Sequence, residues 1–225
     1  MKANHCNIIL ALTISAMAIA CGENPKVAEL GPAKTTGIPV PDVQVFRTMM
    51  PDAGPSAFAV RFTEAGLAMC YDPVRGGVNY LWKGDFDLQP TVTGKISKLA
   101  VVEGEPFYRE SDWHPLRSSK SLDEPDYKFL GYSVKEGALE FNYAIDGEVK
   151  VRERITPIDG EGIRRDFLVE NQDRTVRSLY LHLEPQELAT VSVDGGTVGE
   201  DGWTLFQGEA LRDFSITIHK KDLEK

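Results

Sequence analysis

The sequence predicts an all-β fold, an antiparallel β-sandwich, on three observations. Short apolar stretches follow one another along the chain, about a dozen in all, divided by turns of Gly, Asp and Pro. No window sustains a helical period. Leu139, Phe141, Tyr143 and Ile145 alternate strictly with polar or small residues and lead into Asp146-Gly147, a strong hairpin signal, after which Val149 and Val151 begin a return strand.

Taken in order, residues 1–20 read as an export signal rather than as part of the fold. Lys2 supplies positive charge, and Ile8 to Ala20 is an apolar run of 13 residues, shorter than the roughly 20 that a membrane-crossing helix needs. The run ends Ala18-Ile19-Ala20-Cys21-Gly22. Small residues before a cysteine resemble a bacterial lipoprotein signal, which implies lipidation of Cys21; the departure is Ala18, where Leu is usual. An ordinary secretory signal cut near Ala20 is the alternative. Two or three acyl chains would anchor the protein stably where one holds only marginally. With Cys6 removed and Cys21 lipidated, Cys70 is alone and no disulfide forms within the chain. Cys70 lies between Met69 and Tyr71 in an apolar strand, the setting of a buried, inert thiol.

Residues 21–42 are rich in Pro, Gly, Ala, Lys and Thr without periodicity and read as a flexible tether. A single domain follows, over 43–225. Phe58, Val60 and Phe62 point one way, with Ala57, Ala59 and Arg61 opposite. Leu67 to Tyr71 returns after a Gly66 turn, and Val78 to Trp82 is the next strand. Ile96 to Val102 is expected to be another. Glu103 to Pro125 is the longest irregular stretch, and a loop of that length is functional or mobile as a rule; its Phe107, Tyr108 and Trp113 predict that part of it packs down. Beyond the hairpin at 146–147, Ile163 to Glu170, Leu179 to Leu183, Trp203 to Phe206 and Phe214 to Ile218 are strands, and Gln186 to Ala189 could form one helical turn.

Charge and missing motifs exclude several functions. The net charge of −9 is spread along the chain and repels phosphate backbones, which argues against nucleic acid. There is no G-x-S-x-G, no H-E-x-x-H and no glycine-rich loop before a helix, so serine hydrolase, zinc protease and nucleotide-binding chemistries lack their parts.

Two sets of residues draw attention as a contact surface. Asp85 and Asp87 flank Phe86 just after Trp82, and carboxylates two apart on an extended segment face one way. They suit a hard cation or the hydroxyls of a sugar stacked on the tryptophan; a solvated loop is the plain alternative. Glu110, Asp112 and His114 also share a face if extended, near Trp113 and Arg117. That set suits a metal ion or acid-base work, or is simply a charged loop. His182 and His219 read as outward-facing surface residues. Arg152-Glu153-Arg154 and Arg164-Arg165 read as charge pairing on an exposed sheet face.

The stretches FRTMMPDAGPSAFAVRF, LAMCYDPVRGGVNYLWKGDFDLQPTVTG, KFLGYSV and NYAIDGEVKVRERI resemble a domain of large exported proteins of planctomycete- and verrucomicrobia-like bacteria. There the domain accompanies c-type cytochrome and other haem-binding modules. The carrying residues are Arg47, Pro51 to Pro55, Asp72, Trp82, Gly84, Phe86-Asp87, Gly94 and Lys128 to Tyr132. This chain has no C-x-x-C-H, so no haem is attached covalently; the resemblance implies an accessory domain beside a separate cytochrome, not an electron carrier. The run EFNYAIDGEVKVRERITPIDGEGIRRDFLVEN is similar in strand rhythm to the galactose-mutarotase-like supersandwich, which bears on fold more than on activity.

The expectation is therefore an exported, lipid-anchored, non-catalytic binding or accessory module of the cell envelope, without cofactor or metal, partnered by a c-type cytochrome or another envelope protein. Its contact surface is expected to comprise Trp82, Asp85, Asp87, Trp113, His114 and Arg117. The alternative is carbohydrate binding, or a mutarotase-like enzyme built on Glu110, Asp112, His114 and Asp87. A purely structural partner with an exposed apolar patch is a third possibility.

Overall fold

The computed structural model describes residues 42–93, 98–110, 113–147, 149–158, 160–170 and 176–222. The expected export signal, Cys21 and the tether up to residue 41 lie outside the described residues, as do Gly94, Asp112 and the turn at 171–175.

The chain is all-β and antiparallel, as the alternation predicts. In order it forms β1 (Val43–Thr48), β2 (Ala57–Phe62), β3 (Leu67–Tyr71), β4 (Val78–Lys83), β5 (Asp85–Asp87), α1 (Gln89–Thr93), β6 (Val101–Glu103), β7 (Pro106–Arg109), β8 (Leu116–Arg117), β9 (Tyr127–Lys135), β10 (Ala138–Ile145), β11 (Val149–Ile158), β12 (Gly162–Glu170), β13 (Ser178–His182), β14 (Ala189–Asp194), β15 (Thr197–Val198), β16 (Trp203–Gln207) and β17 (Asp213–Lys220). The strands build sheets ordered β1-β2-β3-β4-β7, β14-β17-β12-β11-β10-β9, β15-β16-β13-β8 and β5-β6. Among the described residues no helix is long and apolar enough to cross a membrane.

The hairpin at Asp146-Gly147 forms as expected. Both residues have positive φ, +48° and +79°, a conformation that Asp and Gly adopt readily in turns, and β10 pairs with β11 from Ile145–Val149 to Leu139–Ile155. The inward faces of the two larger sheets and of β13 and β16 share one core. Tyr71 stacks on Phe141 across it at 3.6 Å, and Phe206 stacks on Phe214 at 3.9 Å. Each large side chain buried this way contributes about 1.5–3 kcal/mol.

The five-stranded sheet is covered on both faces. Phe58, Val60 and Phe62 enter the main core while Ala57 and Ala59 enter a second one, with Met50, Cys70, Tyr80, Trp82 and Phe86. That explains the unbroken apolar run of β3, a strand with no solvent side. The register of β3 on β4 shifts between Cys70 and Tyr71, so Cys70 faces Tyr80 and Tyr71 faces Val78. This bulge lets Val78 and Leu81 serve one core and Tyr80 and Trp82 the other. Burial pushes the Cys70 thiol up to about 12, so it stays protonated and inert.

Three sequence expectations change. Of the strand expected at 96–102, residues 96 and 97 lie outside the described residues, and the described part is strand only within Val101–Glu103. The stretch 103–125 is not wholly irregular, because Pro106–Arg109 joins the five-stranded sheet and Leu116–Arg117 joins β13. Gln186 to Ala189 makes no helical turn; among the described residues the one short helix is Gln89–Thr93, started by Asp87, whose Oδ1 accepts from the Gln89 N–H at 2.8 Å.

Candidate functional site

A cleft of about 610 Å³ opens where the end of β7 and the 113–117 segment face the chain leaving β13. Gln186 fixes the distance between these walls. Its Oε1 accepts from Arg109 N at 3.1 Å while its Nε2 donates to the Arg109 carbonyl at 2.9 Å and to the Glu184 carbonyl at 3.0 Å. One side-chain amide thus supplies both hydrogen bonds of a missing strand pair. Lower down, His182 N–H donates to the Pro115 carbonyl at 3.1 Å. Trp113, Arg117, Leu122, His182, Glu184 and Glu110 line the space between.

Behind the Glu110 wall lies a buried charge cluster. Glu110 Oε1 accepts from Arg165 Nη1 and, at 3.2 Å, from the Tyr108 hydroxyl; Arg165 Nε donates to Glu153 Oε1 at 2.6 Å. The Arg165 and Glu153 side chains are both 0% exposed and that of Glu110 is 3%. Two carboxylates on one guanidinium leave a net negative charge in a low-dielectric place. Burial raises Glu110 to about 7; Arg165 opposes the shift and Glu153 adds to it. Burial works against the charge of Arg165, but Glu110 and Glu153 outweigh it and hold the guanidinium firmly protonated.

His114 completes the cluster and is neutral. Burial lowers it well below the usual imidazole range, and Arg165 and Arg117 add to that. Its Nδ1 accepts from Leu116 N–H at 3.1 Å, which assigns the proton to Nε2. Its ring packs on Tyr127 and Tyr143 at 5.5 and 4.7 Å. Gly77 lets these groups close up: its φ is +119°, and a Cβ there would stand 2.3 Å from Glu110 Oε2. Among the described residues seven buried side-chain atoms lack a hydrogen-bond partner, and all but Ser215 Oγ belong to Glu110, His114, Arg117, Tyr143, Glu153 and Arg165. The unsatisfied polar groups are concentrated beside the cleft, where functional strain is usual.

Glu110 gives the fold an inverted pH response. Its pKa is raised on folding from the ordinary 4.5 to about 7, so the folded chain holds a proton that the unfolded chain releases. The contribution is full below pH 4.5 and is lost as pH rises through 7, on the order of 3 kcal/mol at most. Melting temperatures between pH 5 and 8 are expected to show the wild type losing stability relative to Glu110→Gln as pH rises. Parallel curves would mean that Glu110 titrates normally.

The expected contact surface divides in two. Trp113 and Arg117 line the cleft, with Glu110, while His114 lies behind it, fully buried. Trp82 is a correction: its ring is 0% exposed in the second core, packed on Tyr80 and Phe86, with its Nε1–H donated to the Asp85 carbonyl at 2.9 Å. It offers no stacking face. Asp85 is held by Arg61, whose Nε donates to Oδ1 at 2.6 Å, and Asp87 caps α1. These carboxylates share a face as expected but serve the fold. The acid-base set Glu110, His114 and Asp87 does not converge on one opening. Among the described residues no group of three or more His, Cys, Asp or Glu could hold a metal ion.

Sequence reasoning placed Glu153 and Arg165 on an exposed face, and the structure buries both. The signal was present in the register. Glu153 falls between inward Val151 and Ile155, and Arg165 between inward Ile163 and Phe167. The outward charges do pair: Arg152 with Glu170 at 3.2 Å and Arg164 with Asp166 at 2.7 Å, contacts worth about 0–1 kcal/mol each. His182 was expected on the surface; it lines the cleft, its ring 4.9 Å from that of Trp203.

Fold and site define an all-β sandwich protein with a polar, aromatic-edged cleft over a buried ion cluster. Compared with known proteins, the chain matches no family model, no curated protein and no solved structure.

Proposed function

We propose that the protein is a non-catalytic binding module of the cell envelope, exported and lipid-anchored through Cys21, whose cleft takes a saccharide. One observation carries the reading: the Trp113 ring, half-buried, shares an open cleft of about 610 Å³ with Arg117, Glu184 and His182. A volume of that order suits a small ligand. An aromatic face with a few polar groups around it is what a sugar ring needs, apolar C–H groups on the ring and hydroxyls on the donors and acceptors. The accessory role beside a c-type cytochrome or another envelope protein rests on the sequence resemblance.

Trp113→Ala is expected to abolish binding of the mono- and oligosaccharides that the wild type takes up, read by calorimetry against a glycan panel. Its melting temperature should stay within a few degrees of the wild type. A panel in which nothing binds, or a variant that binds as well, overturns the saccharide reading. Cys21→Ser is expected to move the protein from the membrane to the soluble fraction of the producing bacterium; a variant that stays on the membrane ends the lipid-anchor reading.

A catalytic reading of mutarotase type has one observation in its favour. Glu110, raised to about 7, lines the cleft together with His182 and Glu184, and acid-base work needs a group poised near neutrality. Exchange spectroscopy on the α and β anomers of a bound sugar tests it: acceleration lost in Glu110→Gln would favour an enzyme over a binder.

A further inference from the structure

Among the described residues Arg117 is a buried cation with no carboxylate in ion-pair contact. It stands on β8 at the cleft, only 6% exposed. Its Nη1 donates to the carbonyl of its own neighbour Leu116 at 3.1 Å, and its buried Nε has no partner. Among the described residues no carboxylate comes within ion-pair distance of it, although nine such pairs form elsewhere in the fold. The carboxylates whose charge reaches it, Asp146 and Glu110, are both engaged: Asp146 Oδ2 accepts from Ser118 N–H at 3.1 Å, and Glu110 is held by Arg165. Burying an unpaired guanidinium is costly. Buried Arg165 has two carboxylates; among the described residues Arg117 has none in ion-pair contact, and it lines the cleft.

We infer that the cleft is built for a ligand bearing a single carboxylate, which Arg117 reads, so that the saccharide is an acidic one of the uronic type. The inference rests on the cleft being a saccharide site. Charge count argues against a doubly charged ligand. Arg109, the other lining cation, is already committed: it stands 3.6 Å from Asp52 and lies over the Tyr80 ring at 4.9 Å. Glu184 adds a negative charge to the lining, and Glu110 another when ionised. A dianionic phosphate would place two charges beside these carboxylates with only Arg117 to balance them, whereas the single charge of a carboxylate is matched by the one guanidinium. The planar fork of an arginine also matches a carboxylate in two parallel hydrogen bonds. Trp113, four positions earlier and in the same lining, is placed to pack the sugar ring that carries the acid group.

The test titrates the full domain with glucuronate, glucose, glucose 6-phosphate and acetate at constant ionic strength. Binding is followed by calorimetry and by the Nε–H resonances of the arginines in a proton–nitrogen correlation spectrum. Glucuronate is expected to bind at least tenfold more tightly than glucose or glucose 6-phosphate and to move the Arg117 Nε–H signal saturably. Acetate should move the same signal more weakly. Arg117→Lys keeps the charge but not the fork; it should lose the preference for glucuronate while its melting temperature stays close to the wild type. Arg117→Gln is expected to bind glucose and glucuronate alike. Equal binding of glucose and glucuronate by the wild type overturns the carboxylate inference and leaves the saccharide reading standing. Acetate and glucuronate binding equally, with no loss in Trp113→Ala, keeps the carboxylate and removes the sugar. Tighter binding of the phosphate, or no response of the Arg117 signal to any carboxylate, overturns the inference outright.

Discussion

Arg165→Met is expected to cost about 3–5 kcal/mol of folding stability, the largest effect of any single polar change in the domain. The substitution removes the guanidinium that pairs the buried Glu110 and Glu153 carboxylates, and it leaves the Tyr108 hydroxyl donating to Glu110. Stranding two carboxylates costs far more than the ion pair itself contributes, because their desolvation is no longer offset. At least one of them must then bind a proton for the chain to fold, so the loss should grow as pH rises. Urea titrations at pH 5.5 and 8 followed by tryptophan fluorescence measure it. A triple variant, Glu110→Leu with Glu153→Leu and Arg165→Met, removes every charge together and is expected to recover most of the stability. A loss below about 1 kcal/mol in the single variant would mean that water reaches the cluster.

Trp82→Ala is the second large effect, about 3–5 kcal/mol. The ring fills the space between Tyr80 and Phe86 in the core behind the five-stranded sheet. Alanine leaves a void there and strands the Asp85 carbonyl that accepts the indole N–H. Trp82→Phe isolates that hydrogen bond and is expected to cost about 1–3 kcal/mol. Denaturant midpoints give both numbers. Cleft binding by the folded fraction should be unchanged in either variant, and a loss of binding without a loss of stability would return Trp82 to the contact surface.

Much of the sheet structure was legible because its signals are local. Leu139 to Ile145 alternates with one face wet, and Asp146-Gly147 needs only its own backbone to turn. Phe58, Val60 and Phe62 likewise separate from Ala57 and Ala59 on sight. What could not be read depends on elements far apart in the chain. A strand's pattern does not say whether something covers its second face; here Phe86 on β5 and Met50 do, and they bury Trp82. Likewise the cleft walls meet through Arg109 and Gln186, 77 positions apart. Arg165 and Glu153 are the instructive misreading. Residue chemistry alone puts charged strand residues toward solvent, but their parity with Val151, Ile155, Ile163 and Phe167 places these two inside. Parity was the better guide, because a buried opposite charge was available to each. Trp113 and Arg117 were found by residue type alone, and they are the two of the six nominated residues that line the opening.

Gln186 gives the domain an unusual modularity. The segment from Glu184 to Leu188 belongs to no strand, yet the Gln186 amide, the bond from Lys221 Nζ to the Gln186 carbonyl at 2.8 Å and that from the Lys221 N–H to the Leu188 carbonyl at 2.9 Å fasten it to the scaffold. It is a cassette with three rivets. Randomising Glu184, Pro185 and Glu187 while keeping Gln186 would re-cut one side of the recess without disturbing a single ladder of the sheets. Ligand preference could then drift among close descendants of this protein faster than its architecture does.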